Sequence, residues 1–130
     1  MATIEEALYT LVTGRPLIGD IIGTRLYPLR LPQNPVYPAM VYQLVSARWP
    51  MAHDGPADMG FPRVQFDCYA ASYGVTKILA KTLRREINGF VGTAAGVEIT
   101  GIFFLNEIDE FGSQAEVYRV SLDFRVNYKE

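Results

Sequence analysis

From Tyr118 to Asn127 the chain alternates without a break. Tyr118, Val120, Leu122, Phe124 and Val126 are set against Arg119, Ser121, Asp123, Arg125 and Asn127. A period of two over that length belongs to a β-strand with one face buried and one wet; a helix would scatter the same residues around its axis. A second alternation predicts another half-buried strand over Arg63–Ala70, with Val64, Phe66 and Cys68 on one side and Arg63, Gln65, Asp67 and Tyr69 on the other. An apolar sheet face needs a cover, so the same chain must also provide helices.

Thr3 followed by Glu6 fits a capping box, and Ile4, Leu8, Leu11 and Val12 repeat at helical spacing as far as Gly14. Pro16 to Ile22 adds a short helical turn that Gly23 breaks. Ser72 caps a longer helix running to Asn88-Gly89. Its apolar face is read as Val75, Ile78, Leu79, Leu83 and Ile87, with Lys77, Lys81, Arg84 and Arg85 opposite.

Seven of the eight prolines fall between Thr24 and Pro62, which limits that stretch to short or edge strands joined by extended loops. Within it Ala39–Ala47 reads as a strand. Arg48–Pro62 reads as a long loop or arm, without a period and with Asp54-Gly55-Pro56 turn chemistry. Val97–Leu105 and Val117–Tyr128 read as a hairpin. Its connection, Glu107–Glu116, contains Gly112-Ser113 and four acids without a base. The expected fold is α+β in one domain over residues 1–130: an antiparallel sheet of about four to five strands, two helices on one face, and a Pro-rich arm over residues 48–62.

Composition removes several classes of function. Hydrophobic residues make up 49% of the 130, enough for a core and too many for a disordered chain. A net charge of −2 does not suit a basic nucleic-acid binder. One cysteine and one histidine exclude an internal disulfide and argue against a zinc site. There is no long apolar run for a membrane span, and acids stand where a signal peptide wants bases, so a soluble chain of the cytoplasm is expected.

No phosphate loop, dinucleotide fingerprint or metal-ligand run is present; Gly89, Gly92 and Gly96 precede a strand, whereas a phosphate cradle precedes a helix. His53, Asp54 and Asp58 form the one acid/base-like cluster, and in a Pro/Gly-rich loop they read as solvated turns. Cys68, on an apolar strand face, reads as a buried hydrophobe. Catalytic, metal-binding and cofactor-binding residues are therefore all expected to be absent.

Contact residues are better candidates. Lys77, Lys81, Arg84 and Arg85, less Glu86, give the second helix a local +3; Glu107, Asp109, Glu110 and Glu116 give the hairpin connection −4. The basic face reads either as an ordinary solvated helix face or as a contact for an acidic protein surface, which the Glu107–Glu116 connection of a neighbouring copy supplies. Trp49, Met51, Met59 and Phe61 place large apolar groups on the arm, which read equally as an interface or as an arm folded back on the body.

In succession, IEEALYTLV, GTRLYPLRLPQN with PAMVYQLVS, RVQFDCYAASYGVTKILAKTLRREINGF, and GVEITGIFF with VYRVSLDFRV cover nearly the whole chain. In that order they resemble the tail terminator (tail completion, tail-to-head joining) family of long-tailed phages and related gene transfer agents. The resemblance implies a small α+β virion protein without enzymatic activity or cofactor. It implies a six-membered ring on the last ring of the tail tube, which stops tube growth at the length set by the tape-measure protein. It also implies a docking surface for the head connector, assembly in the host cytoplasm, and a channel through which DNA passes without sequence-specific binding. Such a channel should not grip its cargo, so the basic face is expected to point outward or toward another subunit, with the acidic hairpin tip near an axial opening or subunit junction. Two other readings stand beside it: another neck protein such as the head-completion stopper, and a small-molecule-binding α+β domain using His53, Asp54 or tyrosines.

Overall fold

The computed structural model describes residues 3–46, 51–52, 55–56, 59–112 and 117–129. Three helices are present: α1 (Ile4–Thr13), α2 (Pro16–Ile22) and α3 (Tyr73–Ile87). Nine strands accompany them: β1 (Leu26–Pro28), β2 (Ala39–Ser46), β3 (Met51–Ala52), β4 (Gly55–Pro56), β5 (Met59–Gly60), β6 (Arg63–Ala70), β7 (Gly92–Ala94), β8 (Val97–Gly112) and β9 (Val117–Lys129).

The main sheet has seven strands. Six lie in the order β1-β2-β6-β9-β8-β7, and β5 adds to β9; β3 and β4 form a separate two-stranded ribbon. All of these pairings are antiparallel except β1 with β2. The expected four to five strands were too few because β1, β5 and β7 hold two or three residues each, too short for alternation to show in sequence. The stretch read as loop over Arg48–Pro62 contributes β3, β4 and β5, while Trp49, His53, Asp54 and Asp58 lie outside the described residues.

Register confirms the two alternating strands. Val64 faces Phe124, Phe66 faces Leu122 and Cys68 faces Val120 across β6 and β9. With Met40 and Tyr42 of β2 and Ile99 and Ile102 of β8, these side chains make one apolar face, joined to the helices in a single hydrophobic cluster. A line of rings runs through it: Tyr42 to Phe66 at 6.2 Å, Phe66 to Phe124 at 5.8 Å, and Phe124 to Phe104 at 5.6 Å.

Both predicted caps form. Thr3 Oγ1 accepts from the Glu6 N–H at 3.2 Å, and Ser72 Oγ accepts from the Val75 N–H at 3.2 Å. α1 buries Ile4, Ala7, Leu8, Leu11 and Val12. The short turn at Pro16 is a third helix, with proline in its first turn where a missing N–H does no harm. α3 departs from its expected face: Val75 and Ile78 are 41% and 60% exposed, and Thr76 and Ala80 are buried instead. Small residues let the helix sit close to the sheet, and the Thr76 hydroxyl is satisfied locally by donating to the Ser72 carbonyl at 2.7 Å.

Candidate assembly surfaces

The third helix and the hairpin β8–β9 meet through charge. β8 runs to Gly112, seven residues past its expected end at Leu105, so Glu107, Asp109 and Glu110 are strand residues. A bulge between Phe104 and Asn106 explains why the sequence read irregularly: it leaves Leu105 unpaired and shifts the alternation by one. Glu107 then lies opposite Leu122 and Asp109 opposite Val120, on the helix side; Asn106, Ile108 and Glu110 lie on the open side.

Lys77 receives both acids on the helix side. Its Nζ lies 2.6 Å from Glu107 Oε2 and 3.1 Å from Asp109 Oδ1, and the Tyr73 hydroxyl donates to Asp109 Oδ2 at 2.6 Å. The bonds from Tyr73 and Lys77 hold the Asp109 carboxyl below its ordinary value, and donating to Asp109 raises the Tyr73 phenol. The bond to Glu107, with that to Asp109, raises the Lys77 ammonium above the ordinary lysine range. On the open side Glu110 accepts from Arg119. One cation and three of the four predicted acids are therefore paired within one chain.

The remaining candidates are dispersed. Arg84 stacks over the Phe104 ring at 5.6 Å, whereas Lys81 and Arg85 are exposed. Glu116 lies outside the described residues, as does the side-chain placement of Met51 and Met59; Phe61 is half-buried. Among the described residues no group of three His, Cys, Asp or Glu is placed to hold a metal. Cys68 is fully buried, and burial pushes its thiol pKa up, away from reactivity.

A polar ladder on the open sheet face was not anticipated. Asp67, Ser121 and Asp123 are buried, on the face opposite the one whose side chains cluster with the helices. Asp67 Oδ1 accepts from Ser121 Oγ at 2.6 Å and from Gln65 Nε2 at 2.8 Å, and Arg63 donates to Asp123 at 2.7 Å. Only register brings these residues together; their one sequence signal is that both strands carry polar groups on the same alternate positions. Tyr73, Tyr118 and Phe111 form a further unpredicted cluster beside Lys77, with centroid distances of 5.8 Å and 4.9 Å.

The β2–β6 and β8–β9 connections leave the sheet at opposite ends. β2 and β6 part at Ser46 and Arg63, beside Arg125 near the end of β9, whereas β8 and β9 join beyond Gly112 and Val117 at its start. No helix among the described residues is long and apolar enough to cross a membrane.

A family model described as "Tail completion protein gp17" matches residues 6–129. In fold, the chain is similar to a chain of a solved structure titled "Virion of native gene transfer agent (GTA) particle". The TM-score is 0.68 at 17% identity, covering 95% of this chain and 92% of that one. No curated protein matches.

Proposed function

Because the chain belongs to the tail completion protein gp17 family, we propose that this structural tail protein forms a ring, six copies round, on the head-proximal end of the tail tube. The ring ends tube polymerisation and presents the joint to the head connector or stopper. DNA passes through its channel during delivery, and the tape-measure protein ends at or near it. Its work is binding, with no catalytic step and no cofactor.

The observation that carries this reading is the family match over nearly the whole chain. The architecture is compatible with it. The β2–β6 and β8–β9 connections leave opposite ends of the sheet, as suits a copy placed between tube and connector. Charge-based contacts between copies narrow to Lys81, Arg84 and Arg85 on the helix and Glu116 in the hairpin turn. Lys77, Glu107, Asp109 and Glu110 already have partners in their own chain.

Microscopy of finished tails, with native mass spectrometry of the released protein, tests the proposal. A six-membered ring at the head-proximal end is expected, and tails made without the protein should lack heads. A single copy per finished tail overturns it.

A further inference from the structure

The sheet has two edges that are only partly covered, and each open segment carries one irregularity, at Val45 on β2 and at Leu105 on β8. On one side β7 covers only Val97–Ile99 of β8. Gly89 N–H then donates to the Ile102 carbonyl at 2.7 Å, and Asn88 Oδ1 accepts from Phe104 N–H at 2.9 Å. From Leu105 to Gly112 no described residue pairs with that side of the strand. On the other side β1 covers Met40–Tyr42, Leu29 N–H takes the Tyr42 carbonyl at 2.9 Å, and the edge over Gln43–Ser46 is open among the described residues.

Natural proteins blunt exposed edges with lysine, proline or protruding charge. Neither segment contains Lys, Arg or Pro. The three acids of the β8 segment are drawn away, two to Lys77 and one to Arg119. The large apolar residues exposed along them are Leu105, Ile108 and Phe111 on one and Leu44 and Val45 on the other, each 40–53% accessible, beside the ion-paired Asp109 and Glu110 on the β8 edge. The bulge at Leu105 and the ion-paired acids are what guards the β8 edge.

Resting on the ring reading above, we infer that the open edge of β8 takes the Gln43–Ser46 edge of β2 from a second copy, head to tail, so that the sheet runs on from copy to copy. Strand direction agrees. β2, β6, β9 and β8 alternate, so β2 and β8 run opposite ways, and β2 of one copy beside β8 of the next continues the antiparallel order. Two β8 edges meeting each other would set acidic segments side by side, whereas the β2 edge carries no charge. The open halves also lie at opposite ends of the sheet, since Gln43 is level with Asn106 through Gln65 and Asp123. Joining them staggers each copy along the strands, as a closing sheet of tilted strands requires.

Cysteine pairs on the open sheet face test this. Gln43→Cys is combined with Ile108→Cys, and separately with Asn106→Cys, in chains assembled on tails; Cys68, wholly buried, does not compete. The double variants should give a reducible ladder of cross-linked copies that stops at the ring number. A mixture of single variants should cross-link, while each single variant alone should not. Rings seen by microscopy without cross-links in either pairing overturn the edge contact and leave the ring reading standing. Cross-linking of Ile108→Cys alone overturns the head-to-tail form. Tails bearing no ring overturn the ring reading, and the edge contact with it.

Discussion

Phe124 and Phe103 provide a paired test of the sheet's register. Phe124 is fully buried between the rings of Phe66 and Phe104. Phe103 lies opposite Arg125, on the open face, and is 44% exposed. Its ring lies back over Gly101, where any Cβ would come within 2.8 Å of it. Phe124→Ala removes a ring from a closed core that cannot fully collapse around the gap, a loss of about 3–5 kcal/mol. Two aromatic neighbours, at about 0.5–1.5 kcal/mol each, place the expected value toward the upper end. At about 2.1 cal/mol/K of unfolding entropy per residue, the midpoint of thermal unfolding should fall by roughly 11–18 °C. Phe103→Ala loses a half-exposed ring and a surface cation–π contact with Arg125, so it should cost about 1 kcal/mol or less. Calorimetry and urea unfolding of both variants measure the difference. Equal losses, or a larger loss for Phe103→Ala, would refute the assignment of faces along β8 and β9.

The Lys77 clasp should show itself through pH. Asp109 is lowered from its ordinary 3.8, so its contribution is complete above that value and is lost as the pH falls through the lowered one. Lys77 is raised from 10.5, so its contribution is complete below that value and is lost only as the pH rises through the raised one. The stability difference between the native chain and Lys77→Met should therefore be small, level at neutral pH, and absent in strong acid; a difference that persists there refutes the clasp. Reversing Lys81, Arg84 and Arg85 to Glu should stop assembled tails from forming. Normal assembly with failed DNA delivery would instead place the basic face on the DNA path.

The central sheet and the caps were legible because their signals are local. β6 and β9 show unbroken alternation, and Thr3 and Ser72 precede helices they can cap within three residues. The far half of β8 was not legible. Its bulge at Leu105 moves the helix side from even positions (Ile102, Phe104) to odd ones (Glu107, Asp109, Phe111), so no single alternation runs through the strand and three acids read as loop. Val75 and Ile78 were placed inward on hydrophobicity alone. The sheet instead receives Thr76 and Ala80, whose small size matters more at a close helix–sheet contact than their polarity or lack of it. The pairing of Lys77 with Glu107 spans 30 residues and joins a helix to a strand, so no spacing rule reveals it.

Leu105 has a further consequence. It is the one residue in the outer half of the hairpin without a partner on β9, so it acts as slack in an otherwise fixed ladder. Deleting it would leave Asn106 against Asp123, Glu107 against Leu122 and every later rung unchanged; it would remove the local bend and added twist that a bulge imposes. The hairpin would then keep its contacts with α3 at the base and point its turn elsewhere. The aim of the turn can thus be reset by a single deletion, while an insertion or deletion of one residue further along would turn the remaining side chains to the opposite face. Variation in how such a chain meets its partner could enter at this position without disturbing the core beneath it.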